Sequence, residues 1–360
     1  MTTLGKSSRR ILRAAAVGIL VALVFGSPAL ADPAGPTDYL SEVVAIDPST
    51  PTIEVAILGG DSFVQLKVQP GSEVIVIGYR GEQYLWFKAD GTVLENQNSP
   101  TKYTNNDRYG GGDIPPSATV DASPDWQPIA SNGRWSWHDH RAHWMQQTRP
   151  FGQSAGDQIL EAVVPLQVDG VEVDVTIIST WQPEPSPVPV WGGLLAGLIL
   201  AVGTWFTRAK LLPAVVLTLP AVAAALLAGT WQYFSLPSET APRLMWWILP
   251  AIALVCSIIG IAAGVTQRRF VADAALLLVG VELAIWGFFK RDGLSAAIIP
   301  TDAPGWFDRL ATAMAISGGV GFAIVAVWFL FRLPAKTGAV SESPVSDSRE
   351  QSGSPSPAHP

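Results

Sequence analysis

Cysteine is almost missing from this chain: Cys256 is the only one in 360 residues, and it lies within a long apolar run. A single thiol excludes an internal disulfide framework and the paired C-x-x-C spacing of a structural zinc site, so any exported part must hold together by its own core. Histidine and methionine are scarce as well, with four of each. Charge is thin, at 15% against 48% hydrophobic residues, a balance shifted toward membrane proteins. Enzyme signatures are also missing. There is no G-x-S-x-G nucleophile motif and no carboxylate pair at an identifiable spacing, and Ser136 near His138 has no third group to orient the pair. The reading is therefore of a protein without catalytic residues.

The N-terminus carries Lys6, Arg9, Arg10 and Arg13, then an apolar run from Ala14 to Phe25, then Ser27-Pro28-Ala29-Leu30-Ala31. A basic region, a short apolar region and an A-x-A site predict a secretory signal peptide over residues 1–31, cut before Asp32. Losing those four cations takes the formal charge from −7 to −11. Such a balance excludes nucleic acid as a partner and is compatible with cations.

Residues 32–181 form the expected exported domain. Runs rich in Val, Ile and aromatics predict strands at Thr52–Leu58, Phe63–Val68, Glu73–Tyr79, Tyr84–Phe87, Arg134–His138, Ile159–Val168 and Val171–Trp181. The last two alternate with period two, and Asp169-Gly170 between them is a hairpin turn signal; Asp90-Gly91 joins Tyr84–Phe87 to Thr92-Val93 in the same way. With no amphipathic helix in sight, this reads as an all-β sandwich, immunoglobulin-like or cupredoxin-like. Glu95 to Pro128 is strand-poor and long, the kind of loop that is functional or disordered. Its Gly110-Gly111-Gly112-Asp113 run lacks the lysine and helix start of a phosphate cradle and reads as a flexible turn.

Residues 182–189, with four alternating prolines, predict a stiff spacer holding the sandwich just off the membrane. Beyond it, Val190–Phe206, Leu211–Tyr233, Leu244–Thr266, Phe270–Phe289 and Leu310–Phe331 are each apolar enough to cross a bilayer, giving an all-α bundle of five spans over 190–331. Trp191, Trp231, Trp246, Trp247, Trp306 and Trp328 sit near span ends, where indoles favour the membrane interface. An exported first domain places Arg208, Lys210, Arg268, Arg269, Arg332 and Lys336 in cytoplasmic loops without compensating acids, in keeping with the positive-inside rule. The protein is thus expected in the plasma membrane, surrounded by lipid, with a disordered cytoplasmic tail over 332–360. Gly193-x-x-x-Gly197 and Gly260-x-x-x-Gly264 offer small faces for close helix packing. Glu282, mid-span, with Asp273 nine residues earlier, is the intramembrane acid. Such a carboxyl suggests an ion or proton site and hence a transporter, against the plainer reading of a protonated acid bonded to a neighbouring span.

The densest chemistry lies in Trp135-Ser136-Trp137-His138-Asp139-His140-Arg141-Ala142-His143-Trp144-Met145, which holds three of the four histidines. Imidazole nitrogen and thioether sulfur suit borderline and soft transition metals, so His138, His140, His143 and Met145 are the candidate ligands. Asp139 and Asp107 are candidates to orient the imidazoles from behind. Two facts weigh the other way. Arg141 places a cation among the ligands, and Asp139 with Arg141 can simply form an ion pair while Trp135, Trp137 and Trp144 pack in the core.

On this stretch and the five spans, the chain resembles a family of uncharacterised actinobacterial membrane proteins with a signal peptide, a β-rich exported domain carrying a W-x-W-x-D-H-R-x-H-W-M-like segment, and a helical membrane half. The resemblance covers almost the whole mature chain. It carries no established activity, and it implies an exported metal-handling setting with copper favoured over zinc. The alternative, from another class, is a non-catalytic envelope protein that docks an exported partner through the loop from Glu95 to Trp126.

Overall fold

The computed structural model describes residues 33–331, and the expected signal peptide and tail lie outside them. Ten strands come first: β1 Tyr39–Asp47, β2 Ile53–Leu58, β3 Phe63–Val68, β4 Val74–Ile77, β5 Gln83–Phe87, β6 Val93–Asn96, β7 Trp126–Ala130, β8 Arg134–Trp137, β9 Gln158–Val168 and β10 Val171–Trp181, with one short helix, α1 Pro100–Thr104, between β6 and β7. All pairings are antiparallel, in a seven-stranded sheet ordered β1-β10-β9-β4-β5-β6-β7 and a three-stranded sheet ordered β2-β3-β8. The two sheets share one core, in which Val64, Leu66 and Trp137 of the smaller sheet meet Val76, Phe87, Val164 and Val175 of the larger. Period-two alternation makes this packing: Val173, Val175 and Ile177 face inward while the residues between them are less buried. The β9–β10 turn has positive φ at Asp169 (48°) and Gly170 (82°), as a two-residue hairpin matched to strand twist requires.

Two strands carry weak sequence signals for identifiable reasons. In β1 the register shifts between Val43 and Ala45, which breaks the alternation. β7 contains Pro128, which cannot donate to a ladder, and it accordingly lies at the edge of its sheet.

Five helical segments long and apolar enough to cross a membrane follow. They are α2 Val188–Thr207, the pair α3 Leu211–Val216 and α4 Leu219–Phe234 forming one segment, α5 Met245–Val265, α6 Arg269–Phe289 and α7 Gly305–Phe331. Small residues set the helix contacts. A Cβ at Gly193 would meet Leu310 O and Ala313 Cβ, and one at Gly197 would meet Ser317 Oγ and Met314 O, so α2 lies directly against α7. Gly197→Leu should therefore push α2 off α7 at a cost of at least ~1–3 kcal/mol of overpacking, read as a lower thermal midpoint of the purified full chain.

Three expectations are corrected here. The spacer is shorter than expected, since α2 begins at Val188, and the β domain docks on the helices. Thr37 and Ile298 exchange both main-chain hydrogen bonds (3.0 and 2.9 Å), and Ala34 and Phe63 pack with Leu236 and Trp246. Trp246 is consequently buried beneath the domain rather than at a lipid interface. Finally, Arg208 and Asp273 form a buried ion pair between the end of α2 and the first turns of α6, so this cation has its acid. Nine residues at 3.6 per turn place Asp273 roughly 180° around α6 from Glu282, and the two carboxyls are not a pair.

Candidate metal centre

β8 carries the chain up to His138, and a sharp turn then returns it across the site. Asp139 caps the 3-10 turn His140–Ala142 by accepting from Arg141 N at 3.0 Å, and Ser41 of β1 donates to Ala142 O at 2.5 Å, clamping the turn to the larger sheet. His143 follows in extended conformation. The three imidazoles meet as a result. Ring centroids lie 4.6 Å apart for His138 and His143, 5.4 Å for His140 and His143, and 5.8 Å for His138 and His140. One ring nitrogen from each falls within 4.8 Å of the others.

Each ring is held by a main-chain carbonyl, which can only accept, so the bonded nitrogen carries the proton. His138 Nδ1 donates to Ser62 O (2.5 Å), His143 Nδ1 to Trp144 O (3.1 Å) and His140 Nε2 to Asp107 O (2.8 Å). The opposite nitrogens keep their lone pairs: Nε2 of His138, Nδ1 of His140 and Nε2 of His143. The two Nε2 atoms are buried and have no hydrogen-bond partner. Fixing the tautomer through the far nitrogen is what metal-binding histidines require. A metal held at about 2.0–2.1 Å by each imidazole needs nitrogens ~3.4 Å apart, so a closure of at most ~1.4 Å between any two of them would seat an ion.

Burial, with nearby positive charge, keeps the His138 and His143 rings neutral. Burial pushes His138 down to about 4 and His143 down to about 2, with Arg108 adding to both and the neighbouring imidazoles assisting. Because the folded values lie below the unfolded one, protonation favours unfolding. The metal-free protein should lose stability progressively as pH falls from about 6.5 through 4, measurable as a declining thermal midpoint across that window.

Arg141 is not among the ligands. Its guanidinium reaches back to both oxygens of Asp139 (Nε–Oδ1 2.9 Å, Nη2–Oδ2 2.8 Å) and to Ile77 O, and stacks over Tyr79. The expected ion pair and the convergent histidines thus coexist, the pair bracing the turn that carries the rings. Asp139 also takes Trp137 Nε1 at 2.8 Å and has no hydrogen bond to an imidazole. Asp107 orients His140 through its main-chain oxygen, while its carboxylate accepts from Tyr109 N. Trp137 is buried in the core, Trp135 packs against it, and Trp144 is half-buried, bonded to Thr148 O. Met145 comes near: its methyl carbon and His140 Cε1 lie 3.8 and 3.7 Å from the point where a Gly110 Cβ would stand. The glycine turn is therefore packed against the site.

Ahead of the glycine run the loop is tied down from Ser99 to Arg108. Glu82 accepts from Ser99 Oγ and Thr101, Tyr79 Oη bonds Asn105, and His140 N donates to Tyr79 Oη at 2.8 Å while the two rings stack. Arg108 ends the approach to the site on buried Asp61 at 2.6 Å. Ser62, Tyr79, Asp61 and Arg108 went unread in the sequence as site neighbours because main-chain acceptors and long-range ion pairs leave no local pattern.

Compared with family models, curated proteins and solved structures, the chain matches none. What stands is a protein with a two-sheet β domain, five helices fit to span a membrane, and a histidine triad able to hold a metal ion.

Proposed function

We propose that this is a multi-pass plasma-membrane protein whose exported β domain, a sandwich of immunoglobulin-like or cupredoxin-like type, binds copper through His138, His140 and His143, with Met145 as a further donor. The observation that carries the reading is the pair of buried, unpartnered Nε2 atoms on His138 and His143 within a triad whose ring nitrogens converge. Buried acceptors left without partners cost about 1–3 kcal/mol each, and a cation removes that cost.

Copper is favoured over zinc by the donor set. The triad is three neutral imidazoles with a thioether nearby, no carboxylate or thiolate belongs to it, and the Arg108 cation stands close enough to depress two of the rings. Borderline imidazoles beside a soft thioether suit cuprous copper, whose single charge needs less compensation than a divalent ion. The family resemblance of the Trp135–Met145 stretch belongs to the same reading, as does an exported metal-handling or envelope protein as partner. Titration of the full-length protein with copper and with zinc tests it. Saturable copper binding that is lost in the His138→Ala/His140→Ala/His143→Ala variant supports the assignment, and equal binding by that variant removes it.

A further inference from the structure

A further unsatisfied group lies in the bundle, and its argument is independent of the metal centre. Glu282, on α6, is 1% exposed, and neither carboxyl oxygen has a hydrogen-bond partner. The plainer reading, an acid bonded to a neighbouring span, is therefore not what the structure holds.

No described cation is available to it. At the end of the bundle facing the β domain, Lys290 is committed to Asp308 and Arg309 to Ala296 O and Ala297 O; at the far end Arg208 is committed to Asp273. Arg268 and Arg269 are exposed at that far end. The facing helices offer little else that titrates. α5 contributes Cys256, α4 contributes Tyr233 near its end, α7 contributes Asp308 and Arg309 in its first turn or so, and α2 and α3 contribute none. An isolated carboxylate in such surroundings costs several kcal/mol, so the group holds a proton here. Yet the acid form also leaves its O–H without an acceptor, so Glu282 does nothing for this packing that Leu would not do better.

Trp286 is one helical turn from Glu282 on the same face, donates Nε1 to Trp246 O at 2.7 Å, and carries the Lys290 ammonium 4.9 Å over its ring. Lys290 and Gln232, whose buried Oε1 also lacks a partner, line a cavity of about 250 Å³ between the β domain and the helices.

We infer that Glu282 is a reversible proton-binding site within the bundle, on the helix whose end, at Phe289 and Lys290, borders the interdomain cavity. The step is simple: a proton from water joins the carboxylate to give the neutral acid, and returns to water when a second conformation lets the anion be solvated. Proton is the ligand, and the device is of the kind that couples ion movement to a conformational change.

The test uses the full-length protein in lipid nanodiscs. Infrared spectra should show a carboxylic-acid C=O band at neutral pH that shifts in D2O and is lost in Glu282→Gln. Dicyclohexylcarbodiimide, whose C=N bond takes up the carboxyl oxygen while the acid proton moves to nitrogen, should modify Glu282 as found by peptide mass spectrometry. Should Glu282→Gln fail to fold, glutamate labelled with carbon-13 at the carboxyl identifies the same band in the unaltered chain. A band that stays unshifted in D2O, or a Glu282 that is ionised or unmodified by the carbodiimide, overturns the inference.

Discussion

Copper affinity of the full-length protein should fall by at least ~100-fold on replacing His143 with leucine, while the metal-free protein changes stability by no more than ~1 kcal/mol. The two halves of this expectation have separate causes. His143 is 1% exposed and supplies one of two buried lone pairs aimed at nothing else, so its loss removes a ligand outright. In the absence of metal the same lone pair is a liability. Leucine fills comparable volume, forfeits only the 3.1 Å bond to Trp144 O, and removes an unsatisfied acceptor, so the terms nearly cancel. The metal-dependent stabilisation, about 2.7 kcal/mol at a hundredfold excess of free copper over Kd in the parent chain, should disappear with it. Among the ligands the order of effect is expected to be His138 and His143 first, then half-exposed His140, then Met145, whose replacement by leucine should cost only a few-fold. Thermal unfolding with and without copper checks both halves. If the leucine variant keeps its copper stabilisation, the triad is not the site.

How far the sequence reached depended on whether the determining interactions were periodic or long-range. β9, β10 and the Asp169-Gly170 turn were legible because alternation and turn chemistry are local. The five spans were legible because mean hydropathy over a window is all that a membrane asks of them. β1 was hidden by its bulge at Val43–Ala45, and β7 by Pro128. The role of Trp246 could not be read, because an indole at a span end looks the same whether lipid or a docked domain covers it. At the site, proximity of the histidines in the chain was visible. Their convergence was not, since it depends on a 3-10 turn braced from Ser41 and Tyr79, residues 101 and 61 positions away from their partners. Arg141 illustrates the limit best. Read along the chain it stands among the ligands, and in space Asp139 draws it to the other side.

That diversion makes Asp139 the residue whose loss should be felt most in the β domain. Its carboxylate is fully buried and accepts from Trp137 Nε1, from Arg141 N, Nε and Nη2, and more distantly from Tyr79 Oη (3.4 Å). Burial alone would raise its pKa, but the Arg141 guanidinium and the indole and main-chain donors outweigh it and hold the carboxyl below the usual range. Asp139→Ala should destabilise the domain by ~3–5 kcal/mol, because it strands a largely buried guanidinium and an indole N–H together. The cap of the 140–142 turn goes with it, so copper affinity should drop even though no ligand has been touched. Asp139→Asn keeps the shape and a carbonyl acceptor but removes the charge, and should fall between alanine and the parent. Asp139→Ala combined with Arg141→Ala should cost clearly less than the two single changes added, since each then removes what the other left unpaired. Denaturant unfolding followed by tryptophan fluorescence, with copper titration of the variants that remain folded, reads all of these. An additive double variant would mean that the ion pair does not brace the turn, and the three imidazoles would then owe their convergence to the surrounding sheet contacts.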